Sequence, residues 1–217
     1  MSLTSELENL DSWRLQLPKL WLSILGEMGS AMYVLDWVLM AAVKRTVSLS
    51  AGLHSLVVAK NMVCARALLR MQLDTVSRLM AYTYVENPHQ VASEILKGKQ
   101  LNQFKSKDGV RLRDGYLVDR LSTDYPWVRS VYDATSGYVH FSEQQIFDSI
   151  ASLGSDEERT INFVLTHEDD KFTEASWEEV VACFNHLTAI LSDLVEQYGH
   201  VKQANHSFQR TAASGIR

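Results

Sequence analysis

Apolar residues recur along most of this chain at steps of three and four, the spacing that lines one face of an α-helix, and only one stretch changes to strict alternation. Across residues 27–48 the set Met28, Met32, Leu35, Leu39, Ala42 and Val43 predicts a buried helix face, ending at a joint in Ser50-Ala51-Gly52. Residues 53–85 contain neither Gly nor Pro and predict the longest helix. On it Met62, Leu69, Leu73, Val76 and Met80 make one apolar arc, and Leu53, Val57, Cys64, Leu68, Met71 and Leu79 a second. A helix that is apolar on two sides belongs at the centre of a bundle. Between the arcs runs a polar stripe of Arg66, Arg70, Asp74, Ser77 and Arg78.

Breakers and caps set the remaining elements. Pro18 predicts a break within residues 3–25, with a short helix before it and a second start after it. Pro88 opens a short helix over residues 88–98, and the Lys-, Asp- and Gly-rich sequence that follows makes residues 87–124 the candidate for a mobile insert. Helix is expected on either side of Pro126, and residues 143–153 are weakly amphipathic. Residues 159–166, RTINFVLT, alternate Ile161, Phe163 and Leu165 against polar neighbours and read as a strand, with 167–171 turning it back through Phe172. Ser176 to Glu179 form a capping-box pattern opening a last helix that runs to about Gly199. The pattern as a whole predicts one mainly α domain over residues 1–200, an up-and-down helical bundle with a small β-hairpin before its last helix, and a frayed tail over 201–217.

Composition narrows the function classes. With 21 Lys and Arg against 26 Asp and Glu, the formal net charge is -5, so there is no general basic field and a nucleic-acid role needs a local patch. Cys64 and Cys183 lie in apolar surroundings without CxxC spacing and read as buried free thiols. The seven histidines show no HxH, HxxxH or HExxH spacing, so no metal is expected, and the lack of phosphate-loop or dinucleotide motifs leaves no cofactor implied. The most apolar run, residues 31–43, is shorter than the about 20 residues a membrane-crossing helix needs and carries Asp36 at its middle. No leading segment reads as an export signal, so a cytoplasmic location is expected. Trp13, Trp21, Trp37, Trp127 and Trp177 read as core or interface anchors, and Glu168-Asp169-Asp170 as solvated charge.

Two stretches carry chemistry. The first is ARALLRMQLDTVSRLMAY, residues 65–82; the second is YDATSGYVHFS, residues 132–142. Together they resemble a bacterial family of unknown function related to the HEPN superfamily, whose members show an AR-x-LL helix followed by a Y-x-x-x-S-x-x-x-H-x-S corner. The resemblance covers under half of the chain. It implies an antiparallel helical core, frequent homodimers, a stress or phage-defence setting and, in many relatives, metal-independent cleavage of RNA. The ribonuclease branch is marked by an Arg followed after four to six residues by a His. Here the matching His is His140, and Asp133, Ala134 and Thr135 stand where the Arg would be. Arg159 and His167 miss that spacing by one residue.

A catalytic reading therefore takes His140 as general acid or base and recruits Arg66 and Arg70 from the central helix to hold a phosphate, with Tyr132, Ser136, Ser142 and Asp74 as substrate-binding groups. The structural reading of the same residues makes the corner a packing joint, fixes His140 with neighbouring hydroxyls, and pairs Asp74 with Arg70 and Arg78 along the helix, or Asp133 with the stripe. Two function classes follow. One is a protein acting on RNA, as an endoribonuclease. The other is a non-catalytic dimeric interaction module that binds a partner protein or a nucleotide at that pocket. Hydrolysis of a small anionic substrate is a third.

Overall fold

The computed structural model describes residues 2–26, 31–140, 142–153, 160–163 and 165–214. Among the described residues eight α-helices run in the order α1 (Leu3–Leu25), α2 (Val34–Val58), α3 (Met62–Met80), α4 (Pro88–Leu96), α5 (Asp114–Asp124), α6 (Trp127–Val139), α7 (Glu143–Ser149) and α8 (Glu174–Ser214). The two strands, β1 (Ile150–Leu153) and β2 (Ile161–Phe163), lie between α7 and α8. The protein is thus a mainly helical bundle with a short antiparallel strand pair ahead of its last helix, as the apolar periodicity predicts.

The core is a ring of four helices. α1 packs on α2 and α8, α3 packs on the same two, and α5 and α6 lie outside α3. Leu10, Leu17, Leu53, Met62, Leu73, Phe184, Leu187 and Leu191 are fully buried where the ring closes. The apolar arcs place α3 at the centre because Leu69, Leu73 and Val76 face the ring while Leu68 and Met71 cover its flank.

Several boundaries differ from the expected ones, each for a local reason. α1 continues through Pro18. The buried stripe of Leu10, Leu17, Trp21 and Ile24 is continuous across the proline, so packing holds a turn that propensity alone would break. The joint expected at Ser50-Ala51-Gly52 is helical, and the chain turns instead at Ala59–Asn61, where Lys60 takes a positive φ of 50° and the Asn61 side chain accepts the Cys64 N–H to cap α3. Gly52 serves a close approach, since a Cβ there would lie 3.1 Å from Leu68 of α3. α3 is therefore shorter than the 53–85 helix expected.

The longest described helix is α8. It starts two residues before Ser176, whose N–H bonds the Thr173 hydroxyl at 3.3 Å, and it continues past Gly199 to Ser214. Gly199 lies inside it, and an added Cβ would stand 2.7 Å from Ile24 at the α1 crossing. Beyond that crossing Lys202, 5% exposed, reaches back to the wholly buried Asp36 at 2.9 Å, where residues from 201 onward were expected to fray. Asp36 also accepts from the Tyr198 hydroxyl at 2.6 Å and the Tyr33 N–H at 2.7 Å, which explains an acid at the middle of the chain's most apolar run.

The segment expected to be mobile has its own small core, in which Ala81, Val85, Val91, Leu112 and Leu117 are buried together and Lys105 bridges Arg111 as an isolated antiparallel pair. β2 occupies part of the predicted alternating run but pairs upstream with β1, Ile150 facing Phe163 and Leu153 facing Ile161, rather than turning back through Phe172. Residues 167–172 are drawn off because Asp169 docks on the α2–α3 turn. Its carboxylate accepts the Met62 N–H and its own N–H bonds the Lys60 carbonyl, both at 2.8 Å.

Candidate functional site

α3 carries Arg66, Arg70, Asp74 and Arg78 on successive turns; the first two meet different aromatic neighbours and the last two pair with each other. Arg66 lies between two rings, 4.9 Å from the centroid of Tyr138 on α6 and 4.8 Å from that of Phe172. It donates to the Tyr138 hydroxyl, which donates to Asp148 of α7 at 2.5 Å. The Asp148 carboxylate is 3.7 Å from the Arg66 guanidinium and, through its other oxygen, 3.7 Å from the Lys171 ammonium. Lys171 also donates to the Asp148 backbone carbonyl. The cluster ties α3, α6, α7 and the loop before α8 together around a cleft of about 330 Å³ that Glu179 and Cys183 also line.

The chemistry of this cleft is restrained. Burial, and then the hydrogen bond to Asp148, push the Tyr138 phenol up to about 12 against the pull of Arg66, so it stays a donor and does not act as a base near neutrality. Burial, with Glu179 and Glu6 nearby, pushes the Cys183 thiol up to about 11, which keeps it from being a nucleophile. An incoming anion would have to displace Asp148 from Arg66. A carboxylate already occupies the position a phosphate would take.

The other sequence-selected residues disperse. Arg70 stacks on the Tyr132 ring at 4.1 Å. Asp74 accepts from Arg78 at 3.0 Å, the intrahelical pair the spacing predicts, and Arg78 also bonds Asp114 at 2.9 Å. Burial works against the Arg78 charge, but Asp74 and Asp114 outweigh it and raise the guanidinium pKa above its ordinary value. No Arg70–Asp74 pair forms among the described residues, and Asp133 pairs with Arg129 at 3.3 Å instead of with the stripe. The hydroxyls serve the backbone: Ser136 donates to the Tyr132 carbonyl at 2.6 Å and Ser142 to the Gly137 carbonyl at 3.2 Å. Gln145 turns back to accept the Ser142 N–H, which caps α7.

His140 ends α6, is exposed, and does not line the Arg66 cleft. Among the described residues it has no hydrogen-bond or ion-pair partner, and the Ser136 and Ser142 hydroxyls donate to backbone carbonyls instead. The structure therefore brings Arg66 together with Tyr138 and Asp148, and Arg70 together with Tyr132, but it does not bring His140 to either guanidinium cluster. Arg159 lies outside the described residues, and His167 is exposed beside Glu168 at 3.8 Å.

Sequence reasoning missed Asp148, Lys171 and Phe172, and read Asp169 as solvent-facing. Tyr138 sat inside the selected corner, and its place two residues before the histidine was the one available signal. Cys64, expected to be buried, is exposed at the first turn of α3. Among the described residues no group of His, Cys, Asp and Glu could hold a metal ion, and no helix is long and apolar enough to cross a membrane. No protein-family model matches the chain, and neither a curated protein nor a solved structure matches it.

Proposed function

We propose that this chain is a non-catalytic interaction module of HEPN-like character, which pairs with a second copy through the end of the molecule formed by α6, α7 and the strand pair. One observation carries the reading. Phe147 is 68% exposed, Phe163 56% and Leu165 94%, and Val139, Ile146 and Ile161 are also half or more exposed, all within residues 139–165. Elsewhere the exposed large apolar residues are spread along α1, α2, α4, α8 and the segments before α2 and α5. A concentration of this kind marks an interaction surface. A two-stranded ribbon is marginal by itself, and all three residues of β2 are exposed, so a second copy packed on this end supplies the burial that the ribbon lacks. Such a contact is self-complementary about a two-fold axis.

The Arg66 cluster fits this reading as a brace beneath the surface, because it fixes α7 and the loop before α8 against α3. The RNA-cleaving reading has less support: it needs His140 and Arg66 on one phosphate, and Arg66 is already held by Tyr138 and Asp148. The test is the mass in solution by light scattering. The wild-type chain is expected at twice the mass of one chain at micromolar concentration. The exposed-site double substitution Phe147→Glu with Phe163→Glu is expected to be monomeric with an unchanged helical circular-dichroism spectrum. A wild-type chain that stays monomeric, or a double variant that remains dimeric, overturns the proposal.

A further inference from the structure

A largely apolar cavity of about 360 Å³ lies between α2, α8 and the turn that follows α3. Leu35 and Leu39 on α2, and Leu194, Tyr198 and Val201 on α8, recur at helical steps of three and four, so each helix turns one face into it. Leu79 closes it from α3, and Val85 comes from the small core of the segment between α3 and α5. The cavity therefore sits where the two cores meet, the kind of junction at which small-molecule sites form, and its volume is near the lower end of their usual range of roughly 300–1,000 Å³.

We infer that this cavity binds a free α-amino acid with an apolar side chain. Charge carries the argument. Two groups of opposite sign line the cavity, the Lys107 ammonium and the Glu86 carboxylate, both on exposed residues. They do not pair with each other, and neither has another ion-pair partner among the described residues. Lys107 is placed by its backbone, whose N–H bonds the Tyr84 carbonyl at 2.8 Å, and its ammonium reaches only the Thr83 carbonyl, at 3.5 Å, which leaves donors to spare. A lone anion at this rim meets the repulsion of Glu86, and a lone cation that of Lys107. A molecule with a carboxylate and an ammonium on one carbon answers both charges.

The walls select the side chain. Tyr198 donates its hydroxyl to Asp36 at 2.6 Å, and Thr83 donates its own to the Met80 carbonyl at 2.8 Å, so neither is available to a polar ligand atom. Burial pushes the Tyr82 phenol up to about 12, and this wall adds no charge. A hydroxyl or carboxylate carried down among Leu35, Leu39, Leu79 and Leu194 would lose its hydration without recovering hydrogen bonds, whereas an aliphatic or aromatic side chain gains by burial there. The cavity shares no residue with the proposed docking surface over residues 139–165, so either proposal stands without the other.

Isothermal titration calorimetry with L-leucine, L-methionine, L-phenylalanine and L-tryptophan, each beside its deaminated acid and its decarboxylated amine, tests the inference. At least one of these amino acids is expected to bind more tightly than both of its own analogues. Lys107→Glu is expected to weaken that binding about tenfold or more, as loss of a hydrogen bond between charged groups does. Glu86→Gln is expected to abolish the preference for the amino acid over its deaminated acid. Val201→Trp, which adds bulk at a position 59% exposed, is expected to remove binding while the helical circular-dichroism spectrum stays unchanged. Absence of binding by every one of the amino acids at millimolar concentration overturns the inference. So does an acid or amine analogue that binds as tightly as the amino acid, or binding that none of the variants alters.

Discussion

Arg66 spends its charge inside the protein: two aromatic faces, one phenol oxygen and the field of Asp148 surround it, while Lys171 approaches the same carboxylate from the other side. Removing it takes one of two cations from a half-buried acid and opens the stack, so Arg66→Ala should cost about 1–3 kcal/mol in urea unfolding. His140→Ala, at an exposed position without a partner among the described residues, should stay within about 0.5 kcal/mol of wild type. Equal costs would contradict the division between a brace and a bystander. Spacing alone marked Arg66 as notable. It could not reveal Asp148, Lys171 or Phe172, because a helix face constrains neighbours three and four residues away and says nothing about which distant segment folds over it. The hydroxyls of Ser136 and Ser142 were legible as local bonding groups, yet their acceptors are backbone carbonyls and not a ligand.

At the scale of elements, the contact between Asp36 near the start of α2 and Lys202 on α8 fixes how far the last helix belongs to the fold. The pair is shielded, with Lys202 at 3% side-chain exposure and Asp36 at 0%, and Tyr198 and Tyr33 complete the acid's hydrogen bonds. Breaking a buried pair by removing one partner typically costs about 3–5 kcal/mol, so Lys202→Ala should lower stability by that amount in urea unfolding. A loss below about 0.5 kcal/mol would show α8 to be dispensable past Gly199. Sequence periodicity located nearly every helix, because burial of an apolar stripe is what makes them. It misplaced the ends. Pro18 and Gly199 look like breakers by propensity, but one is held by a continuous buried stripe and the other is needed where α1 crosses α8. The α2–α3 turn has no Gly or Pro to announce it and is set by the Asn61 cap and the Asp169 contact.

For the whole molecule, the helical bundle was legible in the pattern because amphipathic stripes are stable only when buried against one another. The strand pair was not, because alternation in β2 specifies a face and not a partner, and β1 showed no alternation of its own. That leaves the exposed apolar residues at the end of the bundle, and the proposal that a copy of the chain covers them is the one on which the account turns. Amide hydrogen exchange of β2, compared at low and at high micromolar concentration, addresses it most directly, since a segment covered by a second copy exchanges more slowly than the same segment in a single chain. The account predicts slow exchange that appears only as concentration rises, at these amides and not across α1. Rapid exchange at both concentrations, or protection independent of concentration, would contradict it.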